Sequence, residues 1–285
     1  MREFEYLAPH SLPEAINMLS SRSGQVSVLA GGTDLLLGMR AGKLAPEALL
    51  SLKRVPELRG IVFSDETGLQ LGAMTTLRQI RRAPAIRQNY PSLATTADHM
   101  ASAPVRSLAT IGGNLCNASP AADLALPLIA LDAQVRLIGP DGERQLALEA
   151  FFLGPGETAL SPGELLAEIL VPPSEGETIY LKQSSRAHMD IAVVGVAARL
   201  HLRQPAIQTA RIVLGAVAPT PLRVRAAEQL LIGRPLNEDS ITQAASLASE
   251  ACSPISDVRG ARWYRQRLVE VLVRRALQAL GAQLS

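Results

Sequence analysis

The sequence predicts an α+β chain built as two unequal domains, residues 1–175 and 176–285. Three observations carry that expectation. Short aliphatic and β-branched runs alternate with capped, helix-period segments through the first 170 or so residues. The cluster Pro172-Pro173-Ser174-Glu175-Gly176-Glu177 then interrupts every periodicity. Beyond it come long β segments followed by long helices. The 285 residues suffice for two such domains, and 47% hydrophobic with only 3% aromatic residues asks for an aliphatic core.

Taken in order, Ser11 with Pro13 and Glu14 marks a helix start leading through Ile16 and Leu19. Residues 25–30 read as a buried strand that Gly31-Gly32 ends, and residues 33–37 open a helix with Thr33 or Asp34 as N-cap. Strands are expected at 49–52, 60–63 and 69–73, and helices at 75–82 and 91–100. Residues 107–123 crowd small side chains and turn formers between structured segments, a pattern suited to wrapping a ligand. A helix at 121–131 and strands at 134–138 and 144–148 follow, the strands joined by the turn Gly139-Pro140-Asp141-Gly142. After the break, strands are expected at 191–203 and 209–218, with helices at 223–231, 240–252 and 260–280. The last would place Leu268, Val271, Leu272 and Ala276 on one face.

Charge and cysteine content exclude several functions. The balance of 28 basic against 26 acidic residues leaves a net charge of +2, too little to draw the chain to nucleic acid or an acidic membrane. No apolar run reaches the roughly 20 residues of a membrane span, and the charged start lacks a signal-peptide core, so a soluble cytoplasmic protein is expected. Cys116 and Cys252 form no CxxC, so the chain carries no iron–sulfur or zinc site of its own, although one long-range disulfide stays open. His10, His99 and His201 lack partners at ligand spacing and read as structural. Arg265, Arg267, Arg274 and Arg275 give the last helix a solvated or partner-facing basic stripe.

The chemistry concentrates in two glycine pairs, Gly31-Gly32 and Gly112-Gly113. Glycine lets the backbone approach a ligand closely, and successive amides form a nest for a phosphate oxygen. Thr33 and Thr110 add hydroxyls beside them. Each pair alone also fits a plain tight turn. Neither GxGxxG nor GxxxxGK[ST] is present, which argues against an ordinary Rossmann or P-loop site.

Together, Ala30-Gly31-Gly32-Thr33-Asp34-Leu35 and Thr110-Ile111-Gly112-Gly113-Asn114-Leu115-Cys116-Asn117-Ala118-Ser119-Pro120-Ala121-Ala122-Asp123 resemble the two flavin-binding loops of the FAD subunit of molybdenum hydroxylases, the carbon monoxide dehydrogenase and xanthine dehydrogenase family. A third stretch, Tyr180-Leu181-Lys182-Gln183-Ser184-Ser185-Arg186 running to Asp190-Ile191-Ala192, is similar to another signature of that family. The resemblance spans nearly the whole chain. It implies the two-subdomain FAD-binding fold of the vanillyl-alcohol-oxidase (PCMH) type, followed by a smaller C-terminal α+β domain.

The resemblance also implies site residues. Leu29, Ala30, Gly31, Gly32, Thr33, Asp34, Leu35 and Leu36 would wrap the FAD diphosphate from one side, and Thr110, Ile111, Gly112, Gly113 and Asn114 from the other. Asp123 matches a carboxylate that binds the hydroxyl-rich part of FAD; capping the following helix is an equally simple role for it. Met100 falls where relatives place a side chain against the flavin, though core packing explains it as well. Leu166 and Ile169 would line the isoalloxazine ring. Lys182, one of only three lysines, would lie near the flavin with Tyr180 on the same strand face. An exposed surface lysine is the plainer alternative. Cys116 reads as a small buried cysteine. No residue is assigned a catalytic role and no metal is expected.

The implied function is electron transfer. FAD would receive electrons from iron–sulfur clusters on a small partner subunit, after substrate oxidation on a large molybdopterin subunit, in a dimer of heterotrimers. Ala187-His188-Met189 replaces the Arg-rich and acidic stretch of the xanthine dehydrogenase kind, which leaves the acceptor open. A lone His188 in a loop is ordinarily just solvated. A stand-alone flavin oxidase and a cofactor-free interaction module are the rival readings.

Overall fold

The structure is a computed structural model that describes residues 2–22, 24–186, 189–203 and 205–284. His188 and Ala187 therefore lie outside the described residues. The chain opens with β1 (Glu5–Leu7), α1 (Leu12–Ser20), β2 (Val26–Leu29), α2 (Leu35–Arg40) and β3 (Ala48–Ser51). The strands form a parallel sheet in the order β1-β3-β2, and parallel pairing requires crossovers such as α1. Ser11 caps α1 by accepting from the Glu14 amide at 3.3 Å, with Pro13 in its first turn. At α2 Asp34 is the N-cap residue, but its side chain makes no cap bond.

The second layer runs through β4 (Ile61–Ser64), β5 (Gly68–Gly72), α3 (Leu77–Arg82), α4 (Pro84–Asn89), α5 (Pro91–His99), α6 (Ala103–Arg106), α7 (Ile111–Cys116) and α8 (Ala125–Ala130). It continues with β6 (Gln134–Gly139), β7 (Gly142–Ala147), α9 (Leu148–Phe151), β8 (Phe152–Gly154), β9 (Glu157–Thr158) and β10 (Leu165–Val171). Its antiparallel sheet has the order β4-β5-β10-β6-β7. The central strand β10 went unread in the sequence because Leu165–Val171 is apolar almost throughout, as a strand covered on both faces must be. Helix α3 starts at a capping box of Thr76 and Gln79, two residues later than expected. The expected helix at 121–131 shrinks to α8, because residues 119–124 are turns and irregular chain.

The C-terminal part holds β11 (Glu177–Gln183), β12 (Val194–Arg203), β13 (Ala206–Gly215), β14 (Leu222–Arg223), α10 (Arg225–Leu231), α11 (Glu238–Ala251) and α12 (Arg262–Leu284). Its antiparallel sheet runs β11-β12-β13-β14, and the three helices bury the alanine-rich face of α11 and one stripe of α12 against it. That stripe is Val269, Leu272, Val273, Ala276, Leu277 and Leu280, one step round from the expected face, and Val271 is not on it. Arg265 also departs from the surface stripe. It is 3% exposed and donates to the Val193 carbonyl at 2.6 Å, the Ala216 carbonyl at 3.0 Å and Asp257 at 2.6 Å. An arginine that reads as surface charge thus ties α12 to the sheet. Arg267 keeps to the surface and pairs with Glu270.

Helix α8 joins the two parts. Its interior residues belong to the core of the N-terminal half, while Leu126 packs over the C-terminal sheet, where a Cβ at Gly195 or Gly215 would come within 2.9 or 2.7 Å of its Cδ1. Just beyond the helix, Asp132 accepts from Arg199 at 2.8 Å and Arg211 at 2.9 Å, with Arg223 at 3.5 Å. Burial pushes the Asp132 carboxyl up, but the three guanidiniums outweigh it and hold the group below the usual aspartate range.

Candidate cofactor cleft

A cleft of about 1020 Å³ opens between the two N-terminal layers, with one lip from the C-terminal part. Its size lies near the upper end of the range for cofactor sites, about 300–1,000 Å³. The turn after β2 forms one wall through Ala30, Gly31, Gly32, Thr33, Asp34 and Leu35. Thr110, Gly112, Gly113 and Asn114 form the facing wall, and Met100, Leu166 and Asp123 line it too.

Close packing explains the glycines. A Cβ on Gly31 would stand 2.1 Å from the Leu108 carbonyl oxygen, and one on Gly112 would stand 2.7 Å from the Ala73 Cβ. Gly32 adopts φ +75°, the left-handed region that glycine occupies without penalty. Leu29 and Leu36 do not reach the cleft. They pack behind Gly32, where an added Cβ would meet them at 3.0 and 3.2 Å, and so support the turn from beneath.

The two walls differ in their hydrogen bonding. Among the described residues the amides of Gly31, Gly32, Thr33 and Asp34 find no partner. In the other wall the amides of residues 111–114 are all engaged. Ile111 N–H donates to the Thr75 carbonyl at 2.9 Å, Gly112 to the Ala73 carbonyl at 2.9 Å, Gly113 to Thr110 Oγ1 at 3.1 Å and Asn114 to the Thr110 carbonyl at 3.0 Å. Ile111 itself is fully buried and pins this loop to the core instead of lining the cleft. The side chain of Asn114 supplies what its backbone does not. Its Oδ1 is buried without a partner among the described residues, a state that costs about 1–3 kcal/mol unless a ligand donates to it. Four open amides and an orphaned acceptor on residues that line one cleft fit a large ligand bearing both anionic and hydrogen-donating groups.

Other expected residues are placed differently. Ile169 is fully buried in the core, three positions along β10 from Leu166 and so about 10 Å away, with a register shift between Leu166 and Glu168. Asp123 does not cap α8, whose N-cap residue is Leu124 with no side-chain cap bond. Its carboxylate instead accepts from Tyr180 Oη at 2.5 Å and from Lys182 Nζ at 2.9 Å. Tyr180 and Lys182 stand behind Asp123 and do not line the cleft. Lys182 is therefore a largely covered ion-pair partner, not an exposed surface lysine. Burial, then the adjacent Asp123 charge, raises the Tyr180 hydroxyl well above its usual value and keeps it a proton donor.

The sequence reading missed the third lip, made by Arg186, Met189, Asp190, Ile191 and Arg259. The segment Asp190-Ile191-Ala192 already stood within the third resembling stretch, so a signal for it was present. Glu164, also unassigned, lines the cleft and is held by Arg144 at 2.7 Å and by the Ser161 amide at 2.6 Å. Cys116 lies on the wall with its thiol pushed up to about 12 by burial, and both cysteines are free. Among the described residues no cluster of histidine, cysteine or carboxylate could hold a metal ion, and no helix is long and apolar enough to cross a membrane.

Comparison with known proteins gives the family and its cofactor. Residues 2–174 match the family described as FAD binding domain in molybdopterin dehydrogenase, and residues 179–280 match the CO dehydrogenase flavoprotein C-terminal domain. The chain belongs to the FAD-binding medium subunits of the molybdenum hydroxylase family.

Among its relatives, the carbon monoxide dehydrogenase medium chain of Hydrogenophaga pseudoflava is 34% identical, over 98% of each chain. The xanthine dehydrogenase FAD-binding subunit of Escherichia coli O157:H7 is 30% identical over 99% of each. The solved carbon monoxide dehydrogenase from Hydrogenophaga pseudoflava, in a form lacking the Mo-pyranopterin moiety, superposes with a TM-score of 0.95. It is 35% identical and covers 99% of this chain and 98% of that one. Quinoline 2-oxidoreductase from Pseudomonas putida 86 matches with a TM-score of 0.94 at 29% identity, covering 99% and 98%. This family member is accordingly an oxidoreductase subunit, and FAD is its cofactor.

Proposed function

We propose that this subunit carries electrons from iron–sulfur clusters on a small partner subunit, through FAD in its cleft, to an external acceptor. The electrons would originate at a large molybdopterin subunit, and the assembly would be a dimer of heterotrimers. The observation that supports this most is the pairing of an open-amide loop with a chain whose two cysteines lie far apart. A cleft with open amides supports a flavin site, and two free cysteines without further thiols favour cluster ligands on a partner chain. FAD supplies the capacity to exchange electrons with both partners.

The protein's task is to bind and orient that cofactor. Gly31, Gly32, Thr33 and Asp34 would direct their amides to the diphosphate. Asn114 Oδ1 would accept from a ligand hydroxyl or ring N–H, and Asp123 would accept from the hydroxyl-rich segment. Met100 and Leu166 would give an apolar surface to the ring, while Arg186, Asp190 and Ile191 form the rim. The test is to titrate the purified chain with FAD and then offer a reductant. One bound FAD per chain, reduced by substrate only in the assembled complex, supports the proposal. Substrate reduction of flavin in the isolated chain would favour a stand-alone oxidase, and no flavin uptake would favour an interaction module.

A further inference from the structure

The chain between the two cleft walls, residues 100–109, has a support of its own. Met100, Ala101, Val105 and Ala109 line the cleft, whereas Arg106 does not. Ala101 follows α5 and its C-cap residue Met100, and it adopts φ +48°. That is the left-handed region, where a Cβ is costly and glycine is the usual occupant after a helix end. An alanine persists there only if its surroundings hold it. Arg106 does so from behind. Its Nη1 donates to the Met100 carbonyl at 2.9 Å and to the Ala101 carbonyl at 2.8 Å. Both bonds are charge-assisted, and the first satisfies a carbonyl that the end of α5 leaves without a helical partner. The Arg106 side chain is only 15% exposed, so water competes little for these bonds. Its Nη2 stands 3.8 Å from Asp98, which pairs with Arg81 at 2.6 Å on the surface. Farther along the same segment, the Leu108 carbonyl backs Gly31, and the Ala109 carbonyl accepts from the Leu77 amide at 3.0 Å.

We infer that Arg106 is a positioning residue: through the Met100 and Ala101 carbonyls it holds the turn after α5 in a conformation that its alanine disfavours, and so fixes the apolar surface offered to the flavin ring. This rests on the flavin-facing role proposed above for Met100. The arginine itself stays out of the cleft and touches the cofactor only by way of the turn.

The test uses the full chain, titrated with FAD by quenching of flavin fluorescence. The absorption spectrum of the bound flavin and melting of the FAD-free protein are measured alongside. Arg106→Met is expected to weaken FAD binding by about tenfold and to shift the flavin absorption bands, because the turn relaxes away from the ring. In an Ala101→Gly background the same substitution should cost about threefold or less, because glycine holds φ +48° without penalty. Arg81→Gln, which breaks the exposed pair with Asp98, should leave FAD affinity within about twofold. If Arg106→Met does not fold, Arg106→Lys, which keeps the charge but loses the planar fork, is expected to bind FAD about threefold more weakly. Wild-type affinity and wild-type flavin absorption in the Arg106 variants that fold would overturn the inference. So would an undiminished loss in the Ala101→Gly background, or an equal loss in Arg81→Gln. A wild-type chain that binds no FAD would remove the flavin-holding reading itself, which is a separate outcome.

Discussion

The two glycine loops look alike in sequence and are built for different work. In the turn at residues 31–34 the four amides are open, and the glycines exist so that the chain can pass against Leu108 and reverse at φ +75°. In the other loop the amides of residues 111–114 knit the chain to Thr75, Ala73 and Thr110, and the Asn114 side-chain oxygen is left unpaired among the described residues. One loop offers backbone, the other offers a side chain on a rigid mount. A glycine pair is therefore not evidence of an anion nest until its amides have been accounted for.

Substitutions test that contrast directly. Gly31→Ala should have the largest effect, because its Cβ would sit 2.1 Å from a carbonyl oxygen. A loss of about 1–3 kcal/mol or more in unfolding free energy is expected, together with loss of FAD from the purified protein. Thermal melts and flavin stoichiometry measure both. Asn114→Ala should separate binding from stability. FAD affinity is expected to fall by about tenfold, while the FAD-free protein melts no lower, because the substitution removes an unsatisfied buried acceptor. If its melting temperature drops instead, Asn114 belongs to the scaffold and the contrast blurs.

Smaller effects sharpen the picture. Thr110→Ala removes the cap on α7 and frees the Gly113 amide, so about 1 kcal/mol of stability should be lost, with FAD retained. Cys116, at the end of the same helix, should resist alkylation between pH 7 and 9, roughly the range in which an ordinary thiol with a value near 8.5 begins to react. Its thiol, pushed up to about 12, stays protonated there. Rapid labelling of Cys116 in the native protein, seen by mass spectrometry, would mean that the second wall is looser than described.

Much of this architecture was legible in the residues themselves. Ser11 and Pro13 announced α1, and Gly139 through Gly142 announced the β6–β7 hairpin, because capping and turn chemistry act within a few residues. The glycine-rich segments located both main cleft walls, since close backbone approach demands glycine locally. What escaped was long-range. The Asp123–Lys182 pair spans 59 positions, and the Arg265–Val193 bond spans 72; nothing in a local window distinguishes these side chains from surface charge. Strand β10 escaped because an apolar run covered on both faces has no alternation to read. Ile169 was misplaced by distance along the strand: a register shift leaves it on the same side as Leu166, but farther along and inside the core.

Amide exchange at the two loops, with and without FAD, tests the account most directly. Amides of residues 31–34 should exchange quickly in the free protein and become strongly protected when FAD binds, whereas those of residues 111–114 should be protected in both states. Open amides that stay unprotected in the FAD-bound protein, or a second loop that gains protection only with FAD, would contradict it.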